Sequence, residues 1–433
     1  MITTGQNLGN IKSNLLPLSD TRDLDPLIES IGHSQFVLLG EASHGTHEYY
    51  TWRAQISKRL IKEKGFKVIA VEGDWPDCYK INRWIKGLDP EERSITDVLK
   101  TFDRWPTWMW ANWEIASFAS WLKSQNDNLA YKDQIGFYGL DVYSLWESLD
   151  IMVDYLEKED PETGKLARNA FQCFEPFKEK DSYATVFSSS RSGCREEVIK
   201  LLKEVRQNFH KYNSEEEAAL NAEINALVMT NAEKYYKSMA GFGDESWNVR
   251  DRHMVETLET LVSRHGPDTK VIIWEHNTHI GDARATDMAD DGLVNVGQLM
   301  RELYAEIGVY LVGFGSNSGT VIAGDHWGGR MKKMNVPKAI KVSVEDILHQ
   351  TSGENSLLIF KDNVDLQNAF STRMGHRAIG VVYRPEYERG NYVPTILSER
   401  YDAFLYLDKT RALHPLKIDP DGHKLPETYP FGI

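Results

Sequence analysis

The stretch from Phe36 to Arg53, FVLLGEASHGTHEYYTWR, constrains this chain more than any other. Phe36, Val37, Leu38 and Leu39 form the short continuous apolar run that a strand buried on both faces requires, and Gly40 ends it. Glu41, Ser43 and His44 follow at once. A second glycine, Gly45, permits a tight bend before Thr46, His47 and Glu48 open a helix. A carboxylate and an imidazole are thereby placed at the mouth of a buried strand, and in open α/β sheets that mouth is where ligands bind.

The same arrangement recurs along the chain. Lys67–Val71 reads as a second buried strand ending in Glu72-Gly73, and Ile135–Leu140 as a third ending in Asp141. Lys270–Trp274 is followed by Glu275, His276, Asn277, His279, Gly281 and Asp282. Val309–Phe314, closed by Gly315, Ala378–Tyr383 and Ala403–Leu407 read as further strands, with an edge position suggested for the last. Helical spacing lies between them. In Glu48–Lys64, Trp52, Ile56, Leu60 and Ile61 repeat at helical intervals and Gly65 supplies the stop, while Asp77–Ile85 and Val249–His265 read as further helices. Residues up to about Ser19 read as a loosely held arm, and Asp25-Pro26 starts a short helix. From Leu149 to Trp247 the chain is charged and helical, with a turn at Asp160-Pro161 and a capping box at Ser214 and Glu217. The expected fold is one three-layer α/β domain spanning residues 1–433. A mostly parallel sheet is flanked by helices, and residues 149–247 form a helical insertion.

Composition narrows the function classes. A chain of 433 residues with 41% apolar content can bury a large core, and a net charge of −14 argues against a nucleic-acid footprint, which needs a basic face. No signal-peptide pattern and no bilayer-length apolar run is seen, so a cytoplasmic protein without membrane attachment is expected. Cys78, Cys173 and Cys194 are odd in number and fit no zinc spacing, so all three are expected to be reduced thiols.

Chemistry concentrates at the strand ends. If the strands are parallel neighbours, Glu41, His44, Glu72, Asp141, Glu275, His276 and His279 converge on one edge of the sheet. Standard motifs fail here. Glu41-Ala42-Ser43-His44-Gly45 has Glu where a nucleophile elbow needs Gly, and His47-Glu48-Tyr49-Tyr50-Thr51 has Thr where a zincin helix needs its second His. Phosphate-cradling glycine loops are also missing, so no cofactor is expected. An imidazole with carboxylates and Arg53 suits attack by an activated water: His takes the proton, a carboxylate fixes its tautomer, and Arg53 or a second His stabilises an oxyanion. The same Glu41, His44, Glu72, His276 and His279 would serve a divalent metal as ligands, but the reading carried forward assigns no metal. Trp105, Trp108 and Trp110 around Pro106, with Asp141, Glu275 and Asp282, are candidate substrate contacts, although plain core packing also accounts for the tryptophans.

The segments LGEASHGTHEYYTWR, VEGDW, WPTWMWANWE, FYGLDVYSLW, SWNVRDRHM, WEHNTHIGDARATDM and YDAFLYLDKTRALHPL together resemble the erythromycin esterase family, within the Tiki/TraB-like superfamily. The resemblance covers nearly the whole chain. It implies a hydrolase opening an ester or a macrolide-like lactone, a small-molecule partner, and a general base at the position of His44, with companions at Glu41, Arg53, Glu72, His276 and His279. The HNTHIGDARATDM form is similar to the broad homologue branch, some of whose members are labelled succinoglycan biosynthesis proteins.

Overall fold

The structure is a computed structural model that describes residues 5–89, 91, 93–175, 193–212, 217–239 and 245–416. Its strands are β1 (Leu16–Pro17), β2 (Phe36–Leu39), β3 (Val68–Asp74), β4 (Gly136–Asp141), β5 (Val271–Trp274), β6 (Val309–Ala323), β7 (Lys332–Val336), β8 (Ser356–Ile359), β9 (Met374–Arg377), β10 (Tyr392–Thr395) and β11 (Ala403–Thr410). Its central sheet is mostly parallel and flanked by helices. The chain divides into two compact units, the first holding residues up to Ile69, Trp84–Gly136 and Lys270 onward, the second Ala70–Arg83 and Phe137–Thr269.

In the first unit the strand order is β1-β8-β11-β6-β2-β5, with β7 paired to β6. The pairs β11–β6, β6–β2 and β2–β5 are parallel, whereas β8, β1 and β7 add antiparallel strands at the periphery. All four side chains of β2 are buried, as its uninterrupted FVLL run requires of a strand with a neighbour on each side. Register then decides what meets at its end. Leu39 lies opposite Trp274 on β5 and Val312 on β6, so the residues after β2 and β5 emerge side by side. Gly40 fits there because a Cβ would fall 2.1 Å from Asn277 Oδ1, and Gly45 because a Cβ would fall 1.9 Å from the Ile322 carbonyl.

Helix His47–Lys64 follows the turn and ends at Gly65, which takes the left-handed conformation at φ 73°. Several expectations change. The strand expected to stop at Phe314 continues to Ala323, because buried residues persist through Gly315–Asn317 while β11 stays in register with it as far as Gly319. β11 is internal, between β6 and β8, so its edge placement is corrected. Residues 378–383 make single bridges, Ile379 to Ser43 and Val382 to Gly324, and the regular strand lies just before them at β9, paired with β10 in a separate ribbon. The N-terminal arm is a helix over Gly5–Asn14 followed by β1 on the sheet edge.

In the second unit, helices Leu145–Glu159, Pro161–Phe174, Arg195–Gln207, Ala218–Met239 and Glu245–His265 pack together through neighbouring pairs. Residues 149–247, expected as a helical insertion, fall within this unit, and Ser214 of the capping box expected there lies outside the described residues. Cys173 and Cys194 correct the reduced-thiol reading: their sulfurs form a disulfide between helix ends that the fold brings together, a proximity that spacing along the chain does not report. Cys78 is a buried free thiol.

His253 lies fully inside the last of these helices' packing, where Asn231 Nδ2 donates to its Nδ1 at 3.1 Å. Burial pushes its imidazole down to about 4, so the native state holds it neutral. The unfolded chain binds this proton more readily, so the stabilisation is present above about pH 6.5 and is lost as pH falls toward 4. We expect the His253 contribution to remove about 1.4 kcal/mol of stability per pH unit across that window. Urea titrations at pH 7 and pH 5 on wild type and His253→Gln measure it, and an equal pH slope in both proteins would refute the assignment.

Candidate active site

The turn after β2 builds its site from three side chains. His44 Nδ1 lies 2.8 Å from Glu41 Oε1, and Arg53 Nη2 donates to Glu41 Oε2 at 2.6 Å. All three are buried, and Arg53 is wholly so. A carboxylate can only accept, so the proton of neutral His44 sits on Nδ1 and the lone pair on Nε2. Arg53 reaches back from the second turn of its helix and lies between the rings of Tyr50 and Trp274, 4.5 Å and 4.7 Å from their centroids. The Tyr50 hydroxyl donates to the His44 carbonyl at 2.9 Å and fixes the backbone of the turn.

From the end of β5 comes His276, whose ring centre is 4.9 Å from that of His44. It caps the short helix Asn277–Ile280, and its Nδ1 accepts from the Thr278 amide at 3.3 Å, so in the neutral ring the proton is on Nε2. Two adjacent imidazoles therefore hold opposite tautomers. In the neutral rings the lone pair of His44 and the proton of His276 are each on Nε2. Glu275 and His279 are buried beside them in sequence, with the His279 amide bonded to the His276 carbonyl.

Asn277, named from sequence in the run after β5 but given no role there, locks this corner. Its amide donates to the Glu41 carbonyl at 2.9 Å and its side chain to the Phe314 carbonyl at 2.6 Å, tying the ends of β2 and β5 to the middle of β6. Its oxygen faces Gly40, and the glycine at 40 is the sequence signal for that close approach. Deeper in the first unit, Glu345 binds His376 Nδ1 at 2.6 Å and the Arg377 amide at 2.9 Å. Burial raises the Glu345 carboxyl, but His376 and Arg377 outweigh it and hold the group below its ordinary value. Glu345 lies in the first turn of helix Val344–Thr351 and His376 and Arg377 close β9, with no motif around them, which is why sequence reading passed them over.

Other expected contacts are placed as follows. Asp282 caps the turn Ala283–Ala285, and its carboxylate accepts from Arg284 Nε at 2.9 Å and from Arg301 at 3.2 Å. Burial raises that carboxyl, but these arginines bring it below its ordinary value. Trp105 is buried with its indole N–H on the Gly329 carbonyl and its ring edge-on to Trp327, and Trp108 is fully buried. Trp110, also buried, meets Tyr50 edge-on at 6.4 Å. Ser43 Oγ is bonded to Thr46 Oγ1, and Glu48 binds the amide and guanidinium of Arg411.

In the second unit, Glu72 and Asp141 meet on Arg250, a residue of the SWNVRDRHM segment to which sequence reading gave no role. Arg250 donates to Asp141 through Nε at 2.9 Å and Nη2 at 2.7 Å, and to Glu72 through Nη2 at 2.8 Å. Burial raises the Asp141 carboxyl, and the guanidinium more than offsets it, leaving the group charged.

The family described as erythromycin esterase matches residues 61–410. The chain is 24% identical over 386 residues to erythromycin esterase type II of Escherichia coli, covering 78% of this chain and 84% of that one. Among solved structures, a succinoglycan biosynthesis protein superposes with a TM-score of 0.74 at 20% identity, over 96% of this chain and 99% of its own. An EreC erythromycin esterase mutant in its open conformation gives 0.65 at 15% identity, over 93% and 97%. At these identities the structural likeness speaks for the fold alone.

Proposed function

Since the chain belongs to the erythromycin esterase family, we propose that it hydrolyses a carboxylic ester or lactone by direct attack of water, with His44 as general base. The observation carrying this reading is the Arg53–Glu41–His44 relay, in which a buried ion pair fixes the Nδ1 proton and leaves Nε2 as the proton acceptor. Water attacks the carbonyl carbon and His44 Nε2 takes its proton. Charge then develops on the carbonyl oxygen. The Nε2–H of His276 is a donor suited to that oxyanion, and the imidazolium of His44 returns its proton to the leaving alcohol. Glu41 stabilises the imidazolium without taking the proton. Glu72 and His279 are proposed as further catalytic residues and Asp141 and Glu275 as substrate contacts, with Glu72→Gln expected to lower turnover. A screen of p-nitrophenyl esters and macrolide lactones tests the activity, and no turnover of either class would set it aside.

A covalent route would need Ser43 activated by a base, but its hydroxyl is engaged with Thr46. We therefore expect Ser43→Ala to keep turnover within a few-fold of wild type, and wild type to release alcohol linearly from an activated ester. A stoichiometric burst abolished by Ser43→Ala would replace water with an acyl-enzyme.

A further inference from the structure

His47, the first residue of the pair that resembles half a zincin motif, belongs to a separate cluster, while its neighbour Glu48 binds Arg411. His47, at the start of its helix, places Nδ1 2.5 Å from Glu114 Oε1, and His414, beyond β11, places its own Nδ1 2.6 Å from the same oxygen. The ligand-capable atoms of the three residues all lie within 4.8 Å of one another. We propose that His47, Glu114 and His414 form a binding site for a divalent cation of the zinc type. This site is separate from the proposed catalytic chemistry and does not depend on it.

Donor chemistry supports the assignment. Two imidazole nitrogens and one carboxylate are an ordinary three-residue zinc set that leaves a fourth position for water or an exogenous ligand. The Glu114 carboxylate already gathers both rings, with Oε1 in contact with His47 Nδ1 and His414 Nδ1. A cation would replace the two Nδ1–H donors now sharing one oxygen. Each neutral imidazole then carries its proton on Nε2 and turns its Nδ1 lone pair inward. Tetrahedral ligands about 2.0–2.1 Å from zinc stand roughly 3.3 Å apart, so the atoms need to spread by less than about 1 Å. His414, whose side chain is 58% exposed, has room to make that shift.

The backbone holding the donors is already fixed. The His47 amide donates to the Arg411 carbonyl, the Trp113 amide to the His414 carbonyl and the Leu413 amide to the Gly45 carbonyl, each at 2.9 Å. A site that needs little rearrangement loses little binding energy to ordering. Beside it opens a cavity of about 250 Å³ lined by the three residues with Tyr50, Lys58 and Trp113, large enough for a water or a small anion on the fourth position. A cation here would clip the segment after β11 to the signature turn and to helix Trp113–Asn126.

Titration of the metal-free full chain with Zn²⁺ by calorimetry, and with Co²⁺ by visible absorption, tests the site. Wild type is expected to bind one equivalent with a ligand-field band of a low-coordinate N₂O set, and its melting temperature to rise with Zn²⁺. Glu114→Gln and His414→Asn should each weaken binding by more than about 10-fold. If Glu114→Gln fails to fold, the exposed His414→Asn decides alone. Absence of saturable binding, or affinity unchanged in His414→Asn, would overturn the site.

Discussion

Replacement of His44 by alanine is expected to lower turnover of a p-nitrophenyl ester by about 10²- to 10⁴-fold, the range a positioned general base contributes. The loss should fall on kcat, because the proton is taken in the transition state rather than on binding. Folding should survive. His44 lies in a turn, and its deletion leaves the Glu41–Arg53 ion pair, the Asn277 bonds and the β2–β5 register in place. Melting curves therefore belong in the same experiment. Turnover near wild type would remove His44 from the mechanism, while a collapsed melting temperature would show that its ring supports the turn.

The second large effect is expected from Glu41→Gln, which should damage both stability and rate. Glu41 and Arg53 have side chains 3% and 1% exposed, so the amide leaves a guanidinium buried with no opposing charge. Removing one partner of a buried pair typically costs about 3–5 kcal/mol, far above the ~0–1 kcal/mol of a surface pair. The tautomer of His44 also loses its determinant, because an amide can donate to Nδ1 and move the proton to Nε2. An equivalent carboxylate-to-amide change in the serine-protease triad lowers kcat about 10⁴-fold, and a fall of that order is expected here. Adding Arg53→Met to Glu41→Gln should recover stability by removing the stranded charge, without recovering turnover. A single Glu41→Gln variant as stable as wild type would show that the pair carries no structural weight.

Much of this was legible in the sequence because it rests on local rules. The FVLL and VIIW runs announce strands buried on both faces, Gly65 marks a helix stop, and the residues just past these two runs are carried to the strand mouth by the chain itself. Glu41 and His44 are separated by one tight turn, so their contact follows from the turn. Family likeness was equally visible, since it lies in segments and needs no coordinates.

Tertiary structure decided what depends on partners distant in sequence. β11 could not be recognised as internal until β8, 44 positions earlier at its nearest paired residues, Ala403 and Ile359, was seen beside it. Cys173 and Cys194 became a disulfide only when two helix ends met, and Arg250 acquired a role only when helix Glu245–His265 brought it to Glu72 and Asp141. His47, Glu114 and His414 converge from three separate segments, a juxtaposition with no periodicity or motif to reveal it. Apolar periodicity records which face of an element is buried, because burial acts on each residue alone. Hydrogen bonds and ion pairs between distant segments need a particular partner in a particular direction, so the packed chain alone determines them.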